Sequence, residues 1–369
     1  MTSPGEDDVD TVIIGGGQAG LAVGYYLAKL GRPFVIVDAA ARVGDSWRNR
    51  WDSLRVFTPA RYDGLPGWPF PAPAWSYPTK DEVADYLEAY ATRFRLPVRT
   101  GVRIEALARD DGRYVATAGS GRFTASTVVV ATGAYRTPRI PAFAADLDPG
   151  IAQLHSSEYR NQTQLRDGGV LVVGAGNSGA EIALESSAAH RTWLSGRDTG
   201  QEPVRAGSGP DRIFTPPFWF LLNRVLTVGN PIGRRARGQL ANRGLPLARV
   251  RRKDLAGAGV QRSPRVTGVR DGQPLLANGE ILHPANVVWC TGFANDYRWI
   301  DLPVLGPDGE PAHERGIVAS EPGLHFVGLF FLSTAASALI GGVGRDARRL
   351  ANHIARTGQP GRAFGPVRR

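Results

Sequence analysis

Two segments of the same form, Gly15-Gly16-Gly17-Gln18-Ala19-Gly20 and Gly174-Ala175-Gly176-Asn177-Ser178-Gly179, set the strongest limit on what this chain can fold into. Each follows an apolar, β-branched run, Val9 to Ile14 in one case and Val170 to Val173 in the other. Each leads into an alanine-containing stretch with helical character, Leu21 to Leu27 and Ala180 to Leu184. Strand, glycine turn and helix in that order make a dinucleotide fingerprint. The first glycine permits the tight turn, the second lets a pyrophosphate approach the backbone, and the third lets helix and strand pack closely. The helix N-terminus then offers free N–H groups and partial positive charge to the diphosphate. Two copies imply two dinucleotides, with electrons passing between them.

The strands that follow the loops end differently. Phe34-Val35-Ile36-Val37 ends in Asp38, a carboxylate that accepts hydrogen bonds from a ribose diol and repels a 2′-phosphate. Thr192-Trp193-Leu194 ends in Ser195-Gly196-Arg197, with no acid. A guanidinium pairs with phosphate through two parallel charge-assisted bonds. The first loop is therefore expected to take FAD or NAD and the second NADP. A surface arginine after a strand is the plainer reading of Arg197. Two further runs, Thr127-Val128-Val129-Val130-Ala131-Thr132-Gly133 and Val287-Val288-Trp289-Cys290-Thr291-Gly292, repeat one form. Each is a buried-strand run ending in small residues. Loop plus returning strand, taken twice, looks like two related halves.

Composition narrows the chemistry. The 369 residues suffice for two domains. The net charge of +10 comes from arginine, since lysine occurs only at Lys29, Lys80 and Lys253. Arginine clusters at 234–237 and 249–253 belong to no recognisable nucleic-acid module, and two anionic dinucleotides already account for positive potential. No nucleic-acid partner is expected. Cys290 is the single cysteine, which excludes an internal disulfide and a Cys-x-x-C pair. The six histidines have no metal-ligand spacing, so no metal site is expected.

Met1 to Asp10 reads as a short disordered leader and not as a signal peptide, which suggests a cytoplasmic protein. Val327 to Gly344 carries no charge and is close to spanning length, yet its glycines, Ser333, Thr334 and Ser337 favour a buried strand at Leu324 to Gly328, a loop and a helix at Arg345 to Ala355. No stable membrane span is expected. The apolar run Pro216 to Leu222 reads as a pocket-covering insertion, with shallow membrane contact as the other possibility. Thr79 should cap a helix over Asp81 to Ala91. Short strands should fill Val98 to Phe123. The expected fold is α/β with two Rossmann-like dinucleotide-binding domains, a three-layer ββα FAD domain carrying an inserted NADPH domain. The FAD domain would be discontinuous, residues 1–160 and 290–369. The NADP(H) domain would span 165–289, with an insertion at about 202–252.

In that frame several segments resemble the class B flavin-containing monooxygenases, with bacterial single-component members and the auxin-forming YUCCA group as the nearest relatives. They are Gly44-Asp45-Ser46-Trp47-Arg48-Asn49-Arg50-Trp51-Asp52-Ser53-Leu54-Arg55, Tyr77-Pro78-Thr79-Lys80, Tyr86-Leu87-Glu88-Ala89-Tyr90-Ala91 and Leu154-His155-Ser156-Ser157-Glu158-Tyr159. The resemblance covers about residues 9 to 355. It implies NADPH reducing FAD, dioxygen captured at flavin C4a as a (hydro)peroxide, and oxygenation of a nucleophilic nitrogen or sulfur, or of a carbonyl. It also explains why the chain shows no Ser/His/Asp set and no carboxylate pair, since the cofactor carries the hard chemistry. Exclusion of water matters instead, and Trp47, Trp51, Phe57, Trp68, Phe70 and Trp75 could wall such a site or be ordinary core aromatics.

The resemblance places cofactor contacts at Gly15, Gly17, Gln18, Ala19, Gly20, Asp38, Ala39, Ser46, Trp47, Arg48, Val102, Ala131, Thr132 and Gly133 for FAD. For NADPH it places them at Gly174, Gly176, Asn177, Ser178, Gly179, Ser195, Gly196 and Arg197, and it adds Thr291 and Gly292, after the second returning strand, as further cofactor contacts. Trp47 matches a tryptophan beside the flavin, and Val102 a residue whose backbone meets the adenine. The chain departs from the family at Thr58, the one catalytic candidate, where many members carry an asparagine that bonds the nicotinamide or the flavin peroxide. A hydroxyl offers one donor and lacks the amide's paired groups. The family's linker fingerprint, FxGxxxHxxx(Y/F), keeps only its second half, at His155 and Tyr159. His155 is expected to link domains and not to act as a base, and Tyr159 leans towards heteroatom oxygenation. The substrate would be a small molecule, with dioxygen as co-substrate and a monomer or homodimer as the working form. An NADPH oxidase releasing hydrogen peroxide and an electron-transfer reductase are the alternatives on this fold. A flavin-binding regulatory or membrane-associated module is a third.

Overall fold

The computed structural model describes residues 6–357 except 120, 135, 136 and 244. The chain begins with β1 (Glu6–Ile14), α1 (Gln18–Lys29) and β2 (Phe34–Val37). Then come the short helix α2 (Asp45–Arg48), α3 (Lys80–Arg93), and the strands β3 (Val98–Arg99), β4 (Ala106–Asp110), β5 (Arg113–Ala118) and β6 (Gly121–Val130). β1 includes half of the leader expected to be disordered; residues 1–5 of that leader lie outside the described residues. Its three aspartates are each met by an arginine, Asp7 by Arg99, Asp8 by Arg113 and Asp10 by Arg32 at 2.9 Å. Those partners come from distant segments, so the local acidity misleads.

The chain continues through β7 (Thr137–Pro138), β8 (Ala152–His155), β9 (Val170–Val173), α4 (Asn177–Ser186) and β10 (Thr192–Ser195). The insertion holds α5 (Asp211–Phe220) and α6 (Pro231–Arg243), and α7 (Arg252–Gly257) follows. Then come β11 (Gln261–Ser263), β12 (Val266–Arg270), β13 (Gln273–Leu276), β14 (Asn286–Trp289), β15 (Phe293–Ala294), β16 (Leu324–Phe326) and α8 (Gly344–Thr357).

Two sheets organise these elements. The first has the order β3-β2-β1-β6-β5-β4, and β16 also pairs with β6. β5 takes one half of an edge of β6, antiparallel at residues 121–125, and β16 takes the other half, parallel at 128–130. The second sheet is β11-β10-β9-β14-β8, parallel throughout. The parallel cores match: β3-β2-β1-β6 in one, β11-β10-β9-β14 in the other. Even the register agrees, with Ile14 opposite Val37 and Val130, and Val173 opposite Ser195 and Trp289. After the second sheet the chain returns to the first through β16, which pairs with β6. β8, expected with the first half, lies at the edge of the second sheet beside β14.

Strand alternation divides the core. In the first sheet Ile13, Ile36 and Val129 face α1, α3 and α8, while Val12, Ile14, Val35, Val37, Val128 and Val130 face Tyr297, Ile300 and Val304. In the second, Val170, Val172, Leu194 and Val288 pack on α4, and Leu171, Val173, Trp193, Val287 and Trp289 pack on residues 143–151 and the β12–β13 hairpin. Runs apolar at every position are thus buried on both faces, as in parallel sheets. No described helix is long and apolar enough to cross a membrane. The uncharged 327–344 run follows β16 as a series of turns and ends at the first residue of α8.

Candidate functional site

At both loops the strand ahead ends against the strand that returns. Gly15 has φ +115°, and a Cβ there would lie 2.5 Å from the Ala131 carbonyl oxygen. Gly174 has φ +112°, and a Cβ would lie 2.2 Å from the Cys290 carbonyl oxygen. Only glycine fits either place. The helix-side glycines are equally closed, because a Cβ on Gly20 or Gly179 would come within 1.9 Å or 1.7 Å of the carbonyl of the first glycine. The middle glycines differ. A Cβ on Gly17 or Gly176 meets nothing within 4 Å, so each loop leaves one open approach to its backbone. That is the cradle a diphosphate needs, at the N-terminus of α1 or α4. The residues present fit two dinucleotides.

Around the first loop, Asp38 accepts from Gly16 N–H at 2.5 Å and from Ala40 N–H at 2.7 Å, which fixes its carboxylate over the loop. Its carbonyl accepts from Val102 N–H at 2.8 Å, bringing Val102 and Ala39 to the same strand end. Trp47 Nε1 reaches Gln18 Oε1 at 3.5 Å, and Gly328 packs against Ala19. Ala131 N–H bonds the Ile14 carbonyl, leading Thr132 and Gly133 past the loop. Arg48 is placed otherwise. Its guanidinium is held by Asp45, Asp85 and Glu88 at 3.2, 2.9 and 2.8 Å and by the Val43 carbonyl, so it clamps α2 to α3. Ser46 is exposed, and its carbonyl accepts from Arg50. The six aromatics do not form one wall. Trp51 joins the core of the second sheet, Trp47, Trp68 and Phe70 join that of the first, Trp75 packs on Tyr62, and Phe57 is exposed.

Beside the second loop lies a cavity of about 260 Å³, lined by Gly174, Gly196, Arg197, Thr291, Pro141, Phe143, Val173, Arg265 and Val266. Arg197 lines it. Ser195 does not: its side chain is fully buried, its hydroxyl donates to the Pro264 carbonyl at 2.7 Å and accepts from Val266 N–H at 3.1 Å. Ser195 instead holds the 264–266 turn that supplies a second arginine, Arg265, which sequence spacing missed. Gly196, at φ +136°, lies against the Ala175 nitrogen and needs to be glycine. Asn177 also serves the scaffold, its amide donating to the Pro246 carbonyl and its oxygen accepting from Ala248 N–H, both at 3.0 Å. Ser178 follows it in the first turn of α4.

His155 is buried. Ser157 N–H donates to Nδ1 at 3.2 Å, so the proton sits on Nε2, which bonds the Gly292 carbonyl at 3.0 Å. Burial lowers its pKa, and with both nitrogens committed it joins β8 to the Thr291-Gly292 turn. Burial pushes the Cys290 thiol up to about 12, and it stays protonated.

Thr58, half-buried in the connector that runs from Arg42 to Tyr77 between β2 and α3, donates to Asp63 Oδ1 at 2.5 Å. Asp63 is 1% exposed, its Oδ2 has no hydrogen-bond partner, and burial pushes it up to about 7. Next to it, Tyr62 stacks on Trp219 of α5 at 4.9 Å. α5 is further tied to the connector by Tyr77, whose hydroxyl donates to the buried Asp211.

Comparison with known proteins fits this geometry. Residues 12–204 match the family described as pyridine nucleotide-disulphide oxidoreductase. An uncharacterised CzcO-like oxidoreductase of Geobacillus kaustophilus is 41% identical over 94% of this chain and 98% of its own length. A flavin-containing monooxygenase of Stenotrophomonas maltophilia is 29% identical, covers 95% of this chain and 99% of its own, and superposes with a TM-score of 0.72. The chain belongs to the flavin-containing monooxygenases. Indole-3-pyruvate monooxygenase YUCCA1 of rice matches less of it, 37% identity over 47% of this chain and 44% of its own. Membership makes the protein an oxidoreductase and implies FAD and NADPH as its cofactors.

Proposed function

We propose that this flavoprotein uses NADPH and dioxygen to oxygenate a small organic substrate, at a nitrogen or sulfur atom or at a carbonyl. The observation that carries the reading is the inequality of the two loops: a carboxylate fixed over the first, two arginines beside a cavity at the second. On this reading Gly15, Gly17, Gly20, Asp38, Ala131 and the Gln18–Trp47 pair hold FAD. Gly174, Gly176, Gly179, Gly196, Arg197 and Thr291 hold NADPH, with Arg265 added and Ser195 acting through the 264–266 turn. Each dinucleotide would have its own domain, the first built on the β1 sheet and discontinuous in sequence. When bound, the flavin supplies hydride acceptance from the nicotinamide and electron delivery to oxygen. The chain's own contribution is binding, orientation and exclusion of water. The insertion, pinned by Tyr77–Asp211 and Tyr62–Trp219, covers the connector that carries Thr58.

The test is NADPH oxidation under isotopically labelled dioxygen with four probes: methyl phenyl sulfide, N,N-dimethylaniline, cyclohexanone and indole-3-pyruvate. One labelled oxygen atom in a product, with NADPH consumption rising on addition of that probe, is expected. Hydrogen peroxide as the sole product with every probe would replace this reading by the oxidase one. The specific observation favouring an oxidase is that Thr58 donates its single proton inward, to Asp63.

A further inference from the structure

We propose that Asp63 is a positioning residue whose protonation state decides whether Thr58 presents a hydrogen-bond donor or only an acceptor to the oxygenation site. The inference rests on the functional reading above and adds to it a named residue. A threonine hydroxyl has one proton and two lone pairs. While Asp63 is a carboxylate it can only accept, so the Thr58 proton is spent inward and lone pairs alone face outward. Once Asp63 takes a proton from solvent, it can donate to Thr58 Oγ1. The Thr58 proton is then free to point the other way. No bond other than O–H is made or broken.

The geometry favours two accessible states over one. Thr58 is the one hydrogen-bond partner of the Asp63 side chain among the described residues, and Oδ2 is buried without any. A bare carboxylate oxygen in such a place is costly, whereas a protonated one is not. The groups around it supply no compensating charge. From α3, Tyr86 faces it, with its hydroxyl already donating to the Trp68 carbonyl and accepting from Leu65 N–H, each at 2.7 Å. From the 327–342 segment, Gly341 packs its backbone on Tyr62 and Asp63. Arg61 stacks on the Tyr62 ring, and from α5 Asp211 acts on Tyr62. Among the described residues no cation pairs with Asp63. Burial places its titration at about 7, so both orientations of Thr58 are populated near neutrality. The connector thereby replaces the two-ended amide expected at position 58 by a hydroxyl with a controlled direction.

Two measurements on the FAD-loaded protein test this. In pH-difference infrared spectra, the protonated-carboxyl signal lost as pH rises through the neutral range, to which Glu181 and Glu202 also contribute, should be smaller in Asp63→Asn than in wild type by the share of one carboxyl. In turnover, with whichever of the four probes is oxygenated, the ratio of product to hydrogen peroxide should vary with pH over the same range. Thr58→Ser should keep that variation, while Asp63→Asn and Thr58→Val should lose it. A neutral-range carboxyl signal of undiminished size in Asp63→Asn, or an unchanged pH profile in both Asp63→Asn and Thr58→Val, overturns the proposal. Thr58→Val leaves the carboxyl in place and decides the turnover arm if Asp63→Asn does not fold. If the wild type yields peroxide alone with all probes, the functional reading fails, and the infrared band still decides the assignment to Asp63.

Discussion

At the level of single residues, we propose that Arg197 and Arg265, which line the cavity at the second loop, discriminate NADPH from NADH. Removing either should weaken NADPH selectively. A charge-assisted bond contributes about 1.5–3 kcal/mol, so Arg197→Ala or Arg265→Ala should raise KM for NADPH by roughly 10- to 100-fold. KM for NADH, which lacks the 2′-phosphate, should barely move. Initial-rate kinetics with both nucleotides check this; equal losses would mean that the arginines serve the fold and not the phosphate. Ser195→Ala should act in the same direction more weakly, by loosening the 264–266 turn that brings Arg265 to the cavity. These positions also show what a sequence can reveal. The glycines were legible because strand, glycine turn and helix form one contiguous pattern, in which Gly20 and Gly179 are each dictated by the carbonyl of the loop's own first glycine. Arg265 was not, because its place depends on a hydroxyl contact from Ser195, far away in sequence. Arg48 was misread for the same reason, since three carboxylates, two of them on α3, set its direction.

Among the elements, α3 behaved as its sequence suggested. Thr79 accepts from Glu82 N–H at 3.2 Å while Glu82 accepts from Thr79 N–H at 2.7 Å, a reciprocal cap readable from Thr-x-x-Glu alone. Thr79→Ala should cost about 1 kcal/mol, seen as a lowered midpoint in denaturant titration with unchanged slope. α5 is the contrary case. Its interior prolines, Pro216 and Pro217, oppose a helix, yet the segment is helical and runs into a wider turn at Leu221–Val225. Proline removes a helix hydrogen bond, and local propensity opposes the helix. Contacts that no local pattern announces oppose that cost: Trp219 against Tyr62, and Asp211 with Tyr77, Thr215 and Gly207 N–H. Tyr77→Phe deletes the link from the connector while leaving Asp211 its two contacts within the insertion. The cover should loosen, and the share of NADPH lost as hydrogen peroxide should rise with bound FAD unchanged. An unaltered peroxide share in Tyr77→Phe would remove α5 from the role of cover.

In the whole molecule, the two sheets are joined through the connector by polar contacts. Asn161 donates to Asp52 at 2.7 Å, Ser53 and Tyr159 both donate to Glu185, and Arg249 bonds both the Arg55 carbonyl and Glu181. Three carboxyls in or beside this junction, Asp63, Glu181 and Glu202, are each pushed up to about 7, chiefly by burial. Their sign on stability is common to all three. Between the ordinary carboxylate range and about pH 7 the folded protein holds protons that the unfolded chain has released, so stability falls as pH rises through that window. Above about pH 7 both states are ionised and the penalty is constant. For Asp63 alone, a move from 3.8 to about 7 corresponds to up to about 4 kcal/mol, at roughly 1.4 kcal/mol per pH unit. The thermal midpoint should therefore decline between about pH 4 and about pH 7, by several degrees if even half of this is expressed in a chain of this size. Glutamine or asparagine at the three positions should flatten the decline, with Asp63→Asn giving the largest single gain at the alkaline end. Differential scanning calorimetry of FAD-saturated wild type and variants across that range measures it. A midpoint that rises with pH in the wild type would mean that these carboxyls are ionised and compensated in the folded state, and would withdraw the basis for a switchable Thr58 along with it.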